Sequence, residues 1–245
     1  MRATARVAPT IEVKSEIMDI AGIIDYLKRL AAHNDRAWFQ EHKEDYLEVK
    51  QSFDDIVATA IARIALFDDS VAHLSPSDCT YRIYRDTRFT NDKSPYKTHM
   101  GAYINSHGKK SDHCGYYLHI EPDNCMFAGG GWGLPSAMLR AVRQSIIDNI
   151  DEFMEIVEDP EFKKYFPVLG EEHLKVMPKG FPKDFPYPEY IKCKDYVTWC
   201  NISDEEACSS GFFDKMDGAF RQLKRLSDFM NYTIDEMEDE LYDNN

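Results

Sequence analysis

The stretch CTYRIYRDTRFTNDKSPYKTHMGAYINSHGKKSDHCGYYLHIEPDNCMFAGG, residues 79–130, decides the fold. Four runs in it, at 79–89, 98–106, 114–122 and 125–130, are short and rich in Tyr, Ile, Thr and Phe. Side chains of those types favour strands. SHGKKSD and PDN read as the turns between them. Strands joined by so few residues pair antiparallel, because a parallel pair needs a long crossover. A four-stranded meander over about residues 79–130 is therefore expected.

The flanks change period. Ile20, Ile23, Ile24, Leu27, Leu30 and Ala31 mark one helical stripe. A second helix is expected from Asn34 or Asp35, either a suitable N-cap, through to about Phe67. After the sheet, GGGWGLPS reads as a plain turn that lets Trp132 pack, feeding a helix that opens at Pro135 or Ser136. As an anion cradle at a helix start that turn is the weaker reading. Leu139, Val142, Ile146, Ile150 and Phe153 give the helix its core face. Asp159-Pro160 opens another helix, the proline-rich run at 178–188 is a surface loop, YVTWC is a strand, and Ser203 with Glu206 forms a capping box. The fold class is α+β: a central antiparallel β-meander flanked by N-terminal and C-terminal helices. Residues 1–15 read as a flexible lead-in, 16–234 as one domain, and 235–245 as an acidic solvated tail.

Composition narrows the function classes. The net charge is −14, which argues against nucleic acid as a partner. Residues 79–110 nevertheless hold seven Lys or Arg against two acids, a local +5, so the remainder carries −19. The six cysteines form no C-x-x-C pair. His107, His113 and His119 lie six apart but make no tight ligand pair, so neither metal nor other cofactor is expected. No P-loop, G-x-S-x-G or H-E-x-x-H occurs. With no apolar signal region and no long apolar run, the reading is a soluble, cytoplasmic protein with no membrane partner and reduced thiols. Nothing settles the oligomeric state or whether the chain is an enzyme.

Strand parity locates a candidate site. It puts Met100, Ala102, Ile104, Tyr116, Leu118 and Ile120 on a core face. The opposite face would carry Arg82, Tyr84, Asp86, Arg88, His99, Tyr103, Tyr117, His119 and Glu121, with Lys93, Tyr96 and Lys97 on the following loop. Guanidinium forks, hydroxyls and imidazoles together suit a phosphate or carboxylate. The anion-binding candidates are Arg82, Tyr84, Arg85, Asp86, Arg88, Lys93, Tyr96, His99 and His119, with His99 or His119 as proton carrier if chemistry follows. Arg85 would point to the apolar side and need a buried partner. Two alternatives stay open: an interaction module docking an acidic protein or a nucleic-acid strand, and an ion-paired brace with function elsewhere.

The run RIYRDTRFTNDKSPY carries Arg82, Arg85, Asp86, Arg88, Phe89, Asp92, Lys93 and Tyr96 in the pattern R-x-x-R-D-x-R-F-x-x-[D/N]-K-x-x-Y. Asn34, Arg36, Trp38 and Phe39 make an N-x-R-x-W-F segment upstream. Both resemble domain-of-unknown-function family 2461, bacterial proteins of about this length. The resemblance spans about residues 17–230 and implies a single domain with no established activity. It directs attention to the Arg/Asp/Lys/Tyr set without saying whether that set binds, reacts or braces.

Overall fold

The computed structural model describes residues 19–243, so the lead-in expected over 1–15 lies outside the described residues. The chain opens with α1 (Ile20–Ala32), α2 (Arg36–Glu41), α3 (Lys43–Ile64) and the single turn α4 (Pro76–Cys79). β1 (Met100–Ile104), β2 (Tyr116–Ile120) and β3 (Cys125–Gly131) follow. Then come α5 (Ser136–Asp148), α6 (Ile150–Val157), α7 (Pro160–Tyr165) and α8 (Pro188–Lys192). β4 (Tyr196–Ile202), α9 (Asp204–Ala207) and α10 (Phe212–Asp243) complete the described chain. The sheet is antiparallel in the order β1-β2-β3-β4. The chain is therefore α+β, with helices on both sides of the sheet in sequence.

The expected core face is correct. Met100, Ala102, Ile104, Tyr116, Leu118 and Ile120 are all buried, and the register pairs Ala102 with Leu118 and Leu118 with Phe127. Ile23, Leu27 and Leu30 of α1, Phe53 and Ile56 of α3, and Phe220 and Leu223 of α10 join them in one core. Phe127 and Tyr116 both meet the Phe220 ring, with centroids 5.5 and 5.2 Å away. At about 25 cal/mol per Å² of apolar area removed from water, such aromatic groups dominate the stabilisation.

Four expectations need correction. Residues 79–89 are not a strand; the fourth strand is β4, which crosses back to pair with β3. The segment meets the sheet at its start, where Thr80 lies opposite Ala102 and the Tyr81 N–H donates to the Gly101 carbonyl at 3.0 Å, and then folds onto its own downstream stretch. Arg85 N–H donates to the Pro95 carbonyl and Lys97 N–H to the Ile83 carbonyl. Asp86 accepts from the Arg88 N–H and Asp92 from the Ser94 N–H, two side-chain turns that curl the backbone out of strand geometry. The helix expected from Asn34 breaks at His42, whose ring nitrogen Nδ1 lies 2.9 Å from the Trp38 carbonyl and whose ring stacks on Trp38.

The acidic run from 235 is not a free tail as far as Asp243, because α10 continues through it. Ile234 is buried and Asp235 pairs with His113 at 2.7 Å, so the helix retains a packed side there. Trp132 does not pack after the glycine turn; it is 75% exposed. The glycines serve the strand instead. Gly130 has φ +93°, and an added Cβ would stand 2.2 Å from the Tyr196 carbonyl oxygen.

Candidate functional site

The face of the sheet turned away from the core is open. Its rows follow from the register: Gly101, His119, Met126 and Asn201 in one, Tyr103, Tyr117, Ala128 and Trp199 in the next. A cavity of about 670 Å³ lies over the second row, walled by Tyr81, Trp132 and the 109–113 loop. Four of its aromatic residues, Tyr103, Tyr117, Trp132 and Trp199, reach it from three strands and the turn after β3. Gly101 makes room for one of them: a Cβ there would stand 2.7 Å from the Tyr117 hydroxyl oxygen.

Beside this cavity the open face becomes polar. Tyr117 Oη lies 2.8 Å from His119 Nδ1, and His119 Nε2 lies 3.2 Å from Glu121 Oε2. Thr98 Oγ1 donates to Glu121 Oε1 at 3.0 Å and Asn124 Nδ2 donates to Oε2 at 2.7 Å. The His99 ring sits 4.6 Å from that of His119. Desolvation, then the neighbouring His119, pulls His99 down to about 4. Desolvation also lowers His119, partly offset by Glu121. For Glu121 burial works upward, but the hydrogen bonds from Asn124, His119 and Thr98 outweigh it and hold the carboxyl below its usual value. Near neutral pH the cluster is two neutral imidazoles and one carboxylate, a set able to accept a proton.

Lys97 connects the two halves. Its ammonium sits 5.3 Å from the centroid of the Tyr81 ring. Desolvation lowers its pKa first, and the Arg82 guanidinium lowers it further. Among the described residues, neither Arg82 nor Lys97 has a carboxylate within salt-bridge reach, although the chain has 43 acids. Two neighbouring cations with no carboxylate in direct contact, Asp86 acting on Arg82 only at longer range, carry an electrostatic cost that an incoming anion would relieve.

The other candidates do not converge on this point. Arg85 is half-buried and pairs with Asp92 within its own loop. Arg88 pairs with Asp86 at 2.6 Å, with both side chains well exposed, so this pair is no buried brace. Lys93 donates to the Thr87 carbonyl. Tyr84 is exposed and bridges to Tyr96. Tyr96 is buried: its ring stacks on Phe39 at 4.0 Å, and its backbone N–H and carbonyl both bond the Asn34 side chain, at 3.1 and 3.0 Å. The N-x-R-x-W-F segment and the basic segment therefore meet in the fold, and Tyr96 lies at that junction.

Sequence reasoning missed two further arrangements. His107 and His113 do come together, stacked at 3.8 Å beside Asp235. Their spacing was visible; the partner on α10 was not. Cys193 Sγ lies 3.2 Å from His173 Nε2, but burial pushes that thiol up to about 12, so it supplies no thiolate nucleophile.

The family model described as "Conserved hypothetical protein (DUF2461)" matches residues 22–229, and the chain belongs to that family. No curated protein and no solved structure matches the chain. Among the described residues no helix is long and apolar enough to cross a membrane.

Proposed function

We propose that the open face of the sheet binds a small ligand with a phosphate or carboxylate group. The anionic group would sit against Arg82 and Lys97, and the body of the ligand would lie in the aromatic cavity beyond Tyr81. The observation that carries this reading is that Arg82 and Lys97, close enough for the guanidinium to add to the desolvation that lowers the Lys97 pKa, have no carboxylate within salt-bridge reach among the described residues. The cavity volume of about 670 Å³ supports it, because metabolite-sized ligands occupy pockets of roughly 300–1,000 Å³. Aromatic walls add stacking surface for a planar body. If the bound molecule reacts while these side chains hold no metal, neutral His99 or His119 is the group able to take its proton.

The test is thermal unfolding of the wild type against a panel of phosphates, nucleotides and dicarboxylates. A ligand at about a hundred times its Kd adds roughly 2.7 kcal/mol, an upward shift of about 5–10 °C for a chain of this size. The shift should vanish in Arg82→Ala and Lys97→Ala and persist in Arg88→Ala, whose guanidinium is already paired. One observation favours a second reading, a module that docks an acidic partner: Phe89 is 92% exposed at the far end of the basic loop, with Arg88 over its ring. A panel that produces no shift, together with binding lost on Phe89→Ala, would select that reading.

A further inference from the structure

We infer that His99, His119 and Glu121 form a binding site for one divalent transition-metal ion of the zinc and cobalt kind. Each offers a ligand atom, and these atoms lie within 4.8 Å of one another. Two ligands at about 2.1 Å from one tetrahedral ion stand about 3.4 Å apart, so closing the site needs movements of about 1 Å in side chains alone. His119 Nε2 and Glu121 Oε2 already stand 3.2 Å apart.

The surroundings orient the donors as a metal would require. A metal-bound imidazole holds its other nitrogen protonated against an acceptor, and the Tyr117 hydroxyl oxygen lies 2.8 Å from His119 Nδ1. The Glu121 carboxylate is fixed in direction by Thr98 on Oε1 and Asn124 on Oε2, and an oxygen that accepts one hydrogen bond keeps a second lone pair for a metal. No hydrogen bond to a described residue occupies the His99 ring nitrogens, so that imidazole is available. Two imidazoles and a carboxylate favour zinc, cobalt or iron over magnesium and calcium, which prefer oxygen alone. Three protein ligands leave a coordination position open, the arrangement of a reactive ion rather than a structural one.

The other histidine cluster is the weaker candidate. Both His113 nitrogens are engaged, Nδ1 by Ser111 Oγ and Nε2 by Asp235, each at 2.7 Å. A metal there would have to break one of these contacts.

The expectation of no metal rests on His107, His113 and His119, which lie six apart with no tight ligand pair, and leaves out His99 and Glu121 beside His119. The three ligands lie at 99, 119 and 121, and only the β1–β2 register brings the first to the others.

The test uses metal alone, in a phosphate-free buffer, on protein stripped with a chelator. Calorimetric titration with Zn²⁺, and with Co²⁺ followed by its visible absorption, should show one ion per chain. His99→Ala and Glu121→Gln should each weaken binding by at least tenfold. Tyr117→Phe should weaken it by about tenfold through loss of the His119 partner. His107→Ala and Arg82→Ala should bind as the wild type does, which separates this site from the other cluster and from the anion reading. Circular dichroism establishes that each variant is folded; Tyr117→Phe and Glu121→Gln, both near-isosteric, serve if His99→Ala is not. No saturable Zn²⁺ binding by the wild type would overturn the assignment. So would wild-type affinity in His99→Ala and Glu121→Gln, or loss of binding in His107→Ala.

Discussion

Replacing Asn34 by alanine removes both hydrogen bonds that join the α1–α2 corner to the basic segment. The Asn34 amide donates to the Tyr96 carbonyl at 3.0 Å, and its oxygen accepts from the Tyr96 N–H at 3.1 Å. Tyr96 is buried, so the two backbone groups are left poorly satisfied rather than simply returned to water. A net hydrogen bond is worth about 1 kcal/mol and an orphaned buried group costs about 1–3, so the pair loss should total about 3 kcal/mol. For a chain of this size that lowers Tm by about 6–12 °C. The Phe39–Tyr96 stack, at 4.0 Å, should loosen with it, so limited proteolysis should cut first within 84–96.

Asn34→Asp sharpens the test. It keeps the acceptor for the Tyr96 N–H but sets a carboxylate against the Tyr96 carbonyl. Its deficit relative to wild type should therefore shrink as pH falls and the carboxyl protonates and becomes a donor. Thermal unfolding of the three proteins across pH, with each variant measured against wild type at the same pH, reads both effects. Asn34→Ala melting within about 1 °C of wild type would refute the reasoning, since a lost buried pair must cost more than that.

Two more expectations concern the charged residues. His99 is held down to about 4, against about 6.5 in an unfolded chain. Between those values the unfolded chain binds the extra proton, so stability falls as pH drops from about 6.5 towards 4 and is unaffected by this group above that window. Partial exposure reduces the effect to about 1–2 kcal/mol, and His99→Gln should flatten that part of the stability–pH curve in metal-free protein. Asp86→Ala should leave Tm unchanged within experimental scatter, because its pair with Arg88 is exposed. A large drop would restore the brace reading of that pair.

Much of the sheet was readable from alternation alone. The core faces of β1 and β2 follow from period-two patterning, and the same parity places His99, His119 and Glu121 on the opposite side. Residues 79–89 misled because Tyr81 and Ile83 alternate like a strand. The decisive features are non-repeating: Asp86 and Asp92 each capture a backbone N–H two residues on, and Pro95 has none to give. The fourth strand was recognised as a strand, but its pairing with β3 spans a long connection that no local pattern encodes. For the same reason Trp199 could not be joined to Tyr103 and Tyr117 as one cavity. The acidic run at 235–243 looked like a tail because its charges outweigh Ile234 and Met237 in composition, yet those side chains extend the packed stripe of α10. Strand parity set Arg85 apart from Arg82 and Arg88, but only the contacts show that Arg85 and Arg88 are paired while Arg82 has no carboxylate within salt-bridge reach among the described residues.

The affinity of the strongest anion in the panel, measured calorimetrically for wild type, Arg82→Ala and Lys97→Ala at two salt concentrations, tests the central claim most directly. A charge-assisted hydrogen bond is worth about 1.5–3 kcal/mol, so each variant should bind about 10- to 100-fold more weakly and show a shallower salt dependence. Equal affinities in the three proteins would contradict the account and move the binding site away from Arg82 and Lys97.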